Sequence, residues 1–368
     1  MQKRKEYLDG IKGILCILIM LGHYFGIYKY AVDAGAIENS LFLWLKNNSI
    51  FRVLFDESFW LFGFFIISGY LLSYSNINRI VEIGLSVIKR FFRFALPMLG
   101  ACACIYILYF IIGVHCAETR LYFDNPWLQG YVIYLQPREI FIDPIRTILI
   151  SHSIFNGPYW VIRYMFQASI YIYILAYIKN KNKIFLIFLS IIALFIGHRF
   201  SGVIFSCLLG ACFGYFESNI KKLIELNKVI FVILLITIIG IGVTYKNDIS
   251  IFYSLIFGVI LICIENSKHL KNIFSLRIFY YFGNISFGIY SFHFPILLSL
   301  GCGIIVKLLN YNVSGLATVL ISWLLCGVVT VGISCLYNIT VEKISMKVIK
   351  EANEKVRETK IMQKLLSQ

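Results

Sequence analysis

Charge is scarce in this sequence, and its scarcity excludes an ordinary soluble domain. Only 14% of the 368 residues are charged and 59% are hydrophobic, with a mean hydropathy of +0.79. A soluble protein must cover itself with polar side chains, so a chain this apolar is read as dissolved in lipid. Several catalytic signatures are also missing. There is no Gly-rich phosphate loop, no H-E-x-x-H and no G-x-S-x-G, so nothing supports P-loop, zinc-protease or nucleophile-elbow chemistry. None of the ten cysteines forms a C-x-x-C ligand pair, and no metal is expected. All but Cys116 lie in apolar runs and read as small buried hydrophobes. Cys116 falls in an external loop without an obvious disulfide partner, which leaves the redox compartment open. The basic, then apolar, opening lacks a small-residue cleavage site and is read as a retained first span.

What is present is a series of apolar runs. A helix rises about 1.5 Å per residue and needs about 20 apolar residues to cross the hydrocarbon core. Ten stretches reach or approach that length: 11–31, 53–74, 94–114, 158–178, 184–198, 200–216, 229–245, 249–264, 285–306 and 315–337. The fifth and sixth are short and touch at His198 and Arg199. The expected fold is therefore an all-α polytopic bundle of about ten spans. Most of the 34 basic residues fall between spans on the side that places both termini in the cytoplasm, as the positive-inside rule requires. The net charge of +15 is explained by those short clusters, and nucleic acid is not an expected partner.

Two outer loops are long, about 32–52 and 115–157, and long loops in a compact bundle are usually functional or disordered. The second carries Trp127, several tyrosines and the apolar run 145–150, so it is expected to fold back on the membrane as a lid or re-entrant element. Residues 341–368, rich in Lys and Glu, read as a solvated helix or a charged cytoplasmic tail. No internal repeat or separate soluble domain is evident.

Ionisable groups inside spans are costly and mark functional sites by default. Lys12, His23, Arg163 and His293 are such groups. Lys12 and His23 lie 11 residues apart, about three turns, so they share a helix face with His23 roughly 16 Å further along the axis. That places a cation at the cytoplasmic mouth and a potential general base near mid-membrane. The alternative for either histidine is a hydrogen bond to a neighbouring helix, and residue type alone does not choose. Arg90 and Arg93, at i and i+3 and followed by Pro97, share a face suited to clamping phosphates. Position alone favours a simple positive-inside anchor for that pair. Arg163 could snorkel outward or hold an acidic acceptor. An anionic head with a long thin arm, the shape of coenzyme A, would suit this layout.

The stretch YLDGIKGILCILIMLGHY resembles the opening signature of the acyltransferase 3 family, with Leu8, Asp9, Gly10, Gly13 and His23 carrying the match. FFIISGYLL (residues 64–72), Arg90-x-x-Arg93 with Pro97, Trp160 and SFGIYSFHFPIL follow in the expected order and extend the resemblance over most of the chain. The resemblance implies a single transmembrane domain over 1–340 that moves an acyl group, commonly acetyl, from acyl-CoA to a carbohydrate hydroxyl of the bacterial cell envelope. Its partners would be acyl-CoA as donor substrate, a glycan acceptor and the bilayer of the cytoplasmic membrane. It makes His23 the catalytic histidine and places Lys12, Arg90 and Arg93 at the donor. Ser68, Tyr70 and Tyr290 are possible oxyanion contacts, and Trp160, Arg163 and His293 possible acceptor contacts. Three positions depart from the family pattern: Lys12 stands where arginine is usual, Phe62 where many members are acidic, and Met165 where glutamate follows a W-S-L stretch. A transporter or flippase for a lipid-linked glycan is the rival reading, because buried charge in a helical bundle also suits a translocation path.

Overall fold

The computed structural model describes residues 6–33, 53–122, 135–226 and 249–359, with isolated positions 35, 125, 128 and 362. Among them every regular element is helical. The long elements are α1 (Glu6–Asp33), α2 (Glu57–Leu72), α3 (Ile80–Ile112), α6 (Val161–Lys179), α7 (Lys183–Phe200), α8 (Gly202–Tyr215), α10 (Ile249–Asn266), α13 (Ser286–Ile296) and α15 (Gly315–Tyr337). Shorter helices join them: α4 (Cys116–Arg120), α5 (Glu139–Ile150), α9 (Glu217–Leu226), α11 (Lys268–Phe274), α12 (Arg277–Asn284) and α14 (Cys302–Asn310). The chain's last described helix is α16 (Lys343–Glu358).

The helices start where the sequence supplies caps. Asp56, Asn182, Ser201, Ser267 and Ser314 each accept a backbone N–H of the first turn of α2, α7, α8, α11 and α15, which satisfies donors that a helix cannot pair internally. At α3, Glu82 reaches back to the Asn78 and Arg79 N–H groups at 2.8 and 3.4 Å.

Six described helical stretches are long and apolar enough to cross a membrane, and seven if the pair Ser250–Asn266 and Lys268–Phe274, bent by 103°, counts as one span. The protein is therefore an integral membrane protein. Helices occupy nine of the ten expected stretches, while 229–245 lies outside the described residues, as does most of the first outer loop. Two of the nine, α2 and α8, are apolar but only 16 and 14 residues long. At 1.5 Å per residue they reach about 24 and 21 Å, short of the hydrocarbon thickness. Helix α3 also begins well before the expected membrane entry at Phe94 and runs unbroken through Pro97.

Close helix packing is set by glycine. In lipid, helices associate through tight contacts between small residues rather than through the hydrophobic effect. A Cβ on Gly69 would stand 1.8 Å from the Cys207 carbonyl oxygen, and one on Gly210 would stand 2.0 Å from the Ile66 oxygen, so α2 and α8 meet backbone to backbone. Gly210 and Gly214 form a G-x-x-x-G spacing on that contact. Gly13 does the same for α1, where a Cβ would lie 2.4 Å from the Gly283 nitrogen at the end of α12.

Of the second long loop, Trp127 lies outside the described residues, while the part from Glu139 onward packs on the bundle. Helix α5 packs against α3 and α6, and the fully buried Asp143 anchors it by accepting hydrogen bonds from Ser153 Oγ at 2.6 Å and Ile154 N–H at 2.9 Å. Burial pushes the Asp143 carboxyl above the usual carboxylate range, partly offset by those donors and by Arg146. The charged stretch read as a solvated helix or tail is helical: α15 continues through a π-turn at Asn338–Glu342 into α16, one helical run from Gly315 to Glu358. Ser345 and Ile349 of α16 are buried.

Candidate active site

The site begins with how α1 is seated. Gly10 and Gly13 bring the first turns of α1 onto α11 and α12, and one turn of separation sends Asp9 and Lys12 to the next face. There Asp9 and Lys12 pair at 2.7 Å, with Asp9 buried. Further along, Gly22 sits against the backbone of Glu57 at the start of α2, which fixes the height of its neighbour His23.

Two cavities meet at this end of the bundle. A vestibule of about 1030 Å³ is lined by Asp9, Lys12, Arg93, Tyr280, Glu342 and Lys343, among others. A narrower chamber of about 450 Å³ runs inward along Cys16, Ile19, Phe64, Ser68, Arg90, Met165, Tyr173 and Tyr290. Lys12, Leu71, Arg93, Ser286, Glu342 and Met346 line both and form the ring between them. Four cations, Lys12, Lys89, Arg90 and Arg93, face the chamber against one carboxylate, Glu342. Arg90 is half-buried and lies over the Phe94 ring at 4.5 Å. Its Nε has no hydrogen-bond partner. Leaving a buried donor unpaired costs about 1–3 kcal/mol, so the site favours an anionic visitor.

The chamber stops one helical turn short of two histidines. His23 donates from Nδ1 to the Ile19 carbonyl at 2.9 Å, and His293 donates from Nδ1 to the Ile289 carbonyl at 2.9 Å. A carbonyl oxygen only accepts, so both rings carry their proton on Nδ1, which leaves Nε2 as the basic nitrogen of each. The ring centroids are 5.0 Å apart. His293 is 1% exposed and its Nε2 is unpartnered.

The remaining expected residues divide. Ser68 and Tyr290 line the chamber, but both hydroxyl protons are already donated, Ser68 to the Phe64 carbonyl at 2.8 Å and Tyr290 to the Pro158 carbonyl. Tyr70 faces away from the chamber and accepts from Tyr74 at 2.7 Å beside Glu217. Trp160 is 44% exposed and packs on Tyr164. Arg163 donates to the Ile150 carbonyl at 3.3 Å, where a cation complements the C-terminal end of α5. Among the departures from the family pattern, Met165 lines the chamber and Phe62 packs edge-on to Phe65 and Tyr253.

Two contributors escaped the sequence reading. Glu342 sits on the ring between the cavities, and the pairing of Asp9 with Lys12 partly neutralises the mouth. The i, i+3 spacing of Asp9 and Lys12 was the available signal for the second. Glu342 gave none, because it stood in a stretch read as a solvated helix or tail. Among the described residues no group of three or more His, Cys, Asp or Glu could hold a metal ion.

Fold and site together define a class: an all-helical membrane protein whose cation-lined chamber leads to a buried histidine pair. The chain belongs to the acyltransferase 3 family, whose acyltransferase domain matches residues 5–339. No curated protein and no solved structure matches it. The protein is a membrane acyltransferase.

Proposed function

We propose that the protein transfers an acyl group, acetyl in the first instance, from acyl-CoA to a hydroxyl of a cell-surface polysaccharide or its lipid-linked precursor in the bacterial cytoplasmic membrane. The observation that carries this reading is the unfilled Arg90 in a chamber with four cations and one carboxylate, directed at His23. In this scheme the donor enters from the cytoplasm with both chain termini on that side. Its phosphates meet Lys12, Arg90 and Arg93, and its thin arm lies in the chamber, whose volume falls in the range of small-molecule sites.

The chemistry follows from the Nδ1 proton that His23 gives to the Ile19 carbonyl, which leaves Nε2 as the basic nitrogen. As the acceptor hydroxyl attacks the thioester carbon, its O–H bond breaks and the proton passes to Nε2. The new C–O bond forms and the C–S bond breaks, with the electron pair leaving on sulfur. A positioned base of this kind contributes about 10²–10⁴-fold. The committed hydroxyls of Ser68 and Tyr290 argue against either as an oxyanion donor, and Arg163, bound to Ile150, is a weaker acceptor contact than His293.

Mass spectrometry of surface polysaccharide and lipid-linked intermediates, with and without the protein, tests the reading. A sugar losing, on removal of the protein, the net mass that one acetyl group adds in place of a hydroxyl hydrogen is the expected result. Unchanged glycan masses with altered glycan movement across the membrane would overturn it in favour of a transporter.

A further inference from the structure

The donor scheme above fills the chamber and its mouth but gives the larger cavity no role. That vestibule holds about 1030 Å³, and its walls are tied together. Asn338 Nδ2 donates to the Asn284 carbonyl at 2.8 Å and to Glu342 Oε2 at 3.1 Å, and the Tyr281 hydroxyl lies 2.8 Å from Cys335 Sγ. These bonds join α12 to the end of α15 and the turn that follows it. Tyr280 and Tyr281 of α12 put two aromatic side chains on the lining. With Asp9 paired to Lys12 at 2.7 Å, the cations Arg93 and Lys343 face the remaining carboxylate, Glu342. Aromatic rings beside surplus cations suit a ligand that is both planar and anionic. Inward, the shared ring of Lys12, Arg93 and Glu342 narrows into the 450 Å³ chamber, so one ligand occupying both spaces must be broad outside and thin inside.

We propose that the vestibule is a nucleotide subsite, seating the adenosine 3′-phosphate end of the donor with its base against Tyr280 and Tyr281 and its 3′-phosphate at Lys343. The inference rests on the acyl-CoA reading above. Coenzyme A joins that nucleotide end to its thin arm through a diphosphate, and the ring carrying Lys12 and Arg93 stands between the two cavities where such a diphosphate would lie. Tyr280, Tyr281 and Lys343 line the vestibule and not the chamber, whereas Arg90 lines the chamber and not the vestibule. Lys343 is exposed at the start of α16, one residue beyond Glu342 on the ring. The three vestibule residues therefore serve the nucleotide alone and make affinity depend on a part of the donor that takes no part in the chemistry. A donor bearing the same phosphopantetheine arm on a carrier protein would leave this walled space unfilled.

Truncated donors test the subsite without altering the protein. Thiol release is measured for purified full-length protein in lipid nanodiscs, with extracted host surface polysaccharide as acceptor and three donors: acetyl-CoA, acetyl-3′-dephospho-CoA and acetyl-4′-phosphopantetheine. Removing the 3′-phosphate is expected to raise KM about 10-fold, the low end for a charged hydrogen bond, and removing the whole nucleotide about 100-fold or more once base stacking is lost as well. Because these contacts lie far from the reacting carbon, kcat should stay within about threefold. Two variants locate the contacts. Lys343→Gln should raise KM about 10-fold for acetyl-CoA and have no effect with acetyl-3′-dephospho-CoA, which has no 3′-phosphate to lose. Tyr280→Leu should raise KM about 10-fold for both nucleotide-bearing donors and not for acetyl-4′-phosphopantetheine. Equal KM for all three donors with wild-type protein would overturn the nucleotide subsite while leaving a thioester donor in the chamber. Equal effects of Lys343→Gln on all three would overturn the placement of the 3′-phosphate. No thiol release from any donor would instead remove the acyl-CoA reading beneath it.

Discussion

The vestibule end of the bundle and its middle treat polar groups in opposite ways. At the vestibule end, Lys12, Lys89, Arg90, Arg93 and Glu342 line open space, and only some of their charge is paired. In the middle, His23 and His293 meet against Phe294 and Tyr290 beyond the end of the chamber, with each Nδ1 fixed to its own helix. The difference teaches a division of labour. Anion recognition needs unspent donors in a space wide enough to fill, whereas proton transfer needs fixed rings in a dry surround where electrostatic effects are strong. One helix face, carrying Lys12, Cys16, Ile19 and His23, joins the two regions.

Breaking the seat of that helix should have the largest effect, because it disturbs both regions at once. In Gly13→Ala the new Cβ would stand 2.4 Å from the Gly283 nitrogen and 2.7 Å from the Phe279 oxygen. Backbone on both sides leaves little room to adjust, so a loss of about 3 kcal/mol or more is expected. It should appear as a lowered unfolding midpoint and poor recovery of monodisperse protein in detergent. A wild-type midpoint would show that α1 is not held by this contact.

Disabling the inner region alone should separate binding from chemistry. Arg90→Ala removes a cation that lines the chamber and whose buried Nε is unpaired, and a charged hydrogen bond is worth about 1.5–3 kcal/mol. The KM for acetyl-CoA should therefore rise about 10- to 100-fold while kcat stays within a few fold. Arg90→Lys should restore only part, because lysine lacks the planar fork. Lys12→Gln should raise KM less, since Asp9 already takes part of that charge at 2.7 Å. A fall in kcat with unchanged KM would place Arg90 at the chemistry and blur the division.

The smallest effect is expected outside both regions, at Asp143. Its folded carboxyl titrates above its usual range. Its contribution to stability is therefore fully present below the unfolded carboxylate pKa and is lost as pH rises through the raised folded value. Asp143→Asn keeps the neutral form at every pH, so its stability should change by no more than about 1 kcal/mol at neutral pH and vary less with acidity. Unfolding midpoints of both proteins across the acid range would check this, and a large loss at neutral pH would show that the ion pair with Arg146 dominates instead.

Much of the fold was legible because lipid demands long apolar runs, and nine of the ten expected stretches hold helices. The face of a short helix was harder to read. Helix α2 is apolar all round, so no periodic stripe distinguishes the side of Ser68, which lines the chamber, from that of Tyr70, which does not. The three-turn relation between Lys12 and His23 was readable because helical rise alone sets it. The proximity of His23 to His293 was not, because it depends on how two helices 270 residues apart along the chain are packed. Glu342 was obscured because abundant Lys and Glu nearby gave its segment the composition of a solvated tail, while the helix in fact runs on past the mouth.

The most direct test of the central claim is thiol release from acetyl-CoA by purified wild-type and His23→Ala protein, with host surface polysaccharide as acceptor. Removal of the base should lower kcat by about 10²–10⁴-fold while acetyl-CoA still binds with wild-type affinity in the cation-lined chamber. Thiol release by His23→Ala at the wild-type rate would contradict the account.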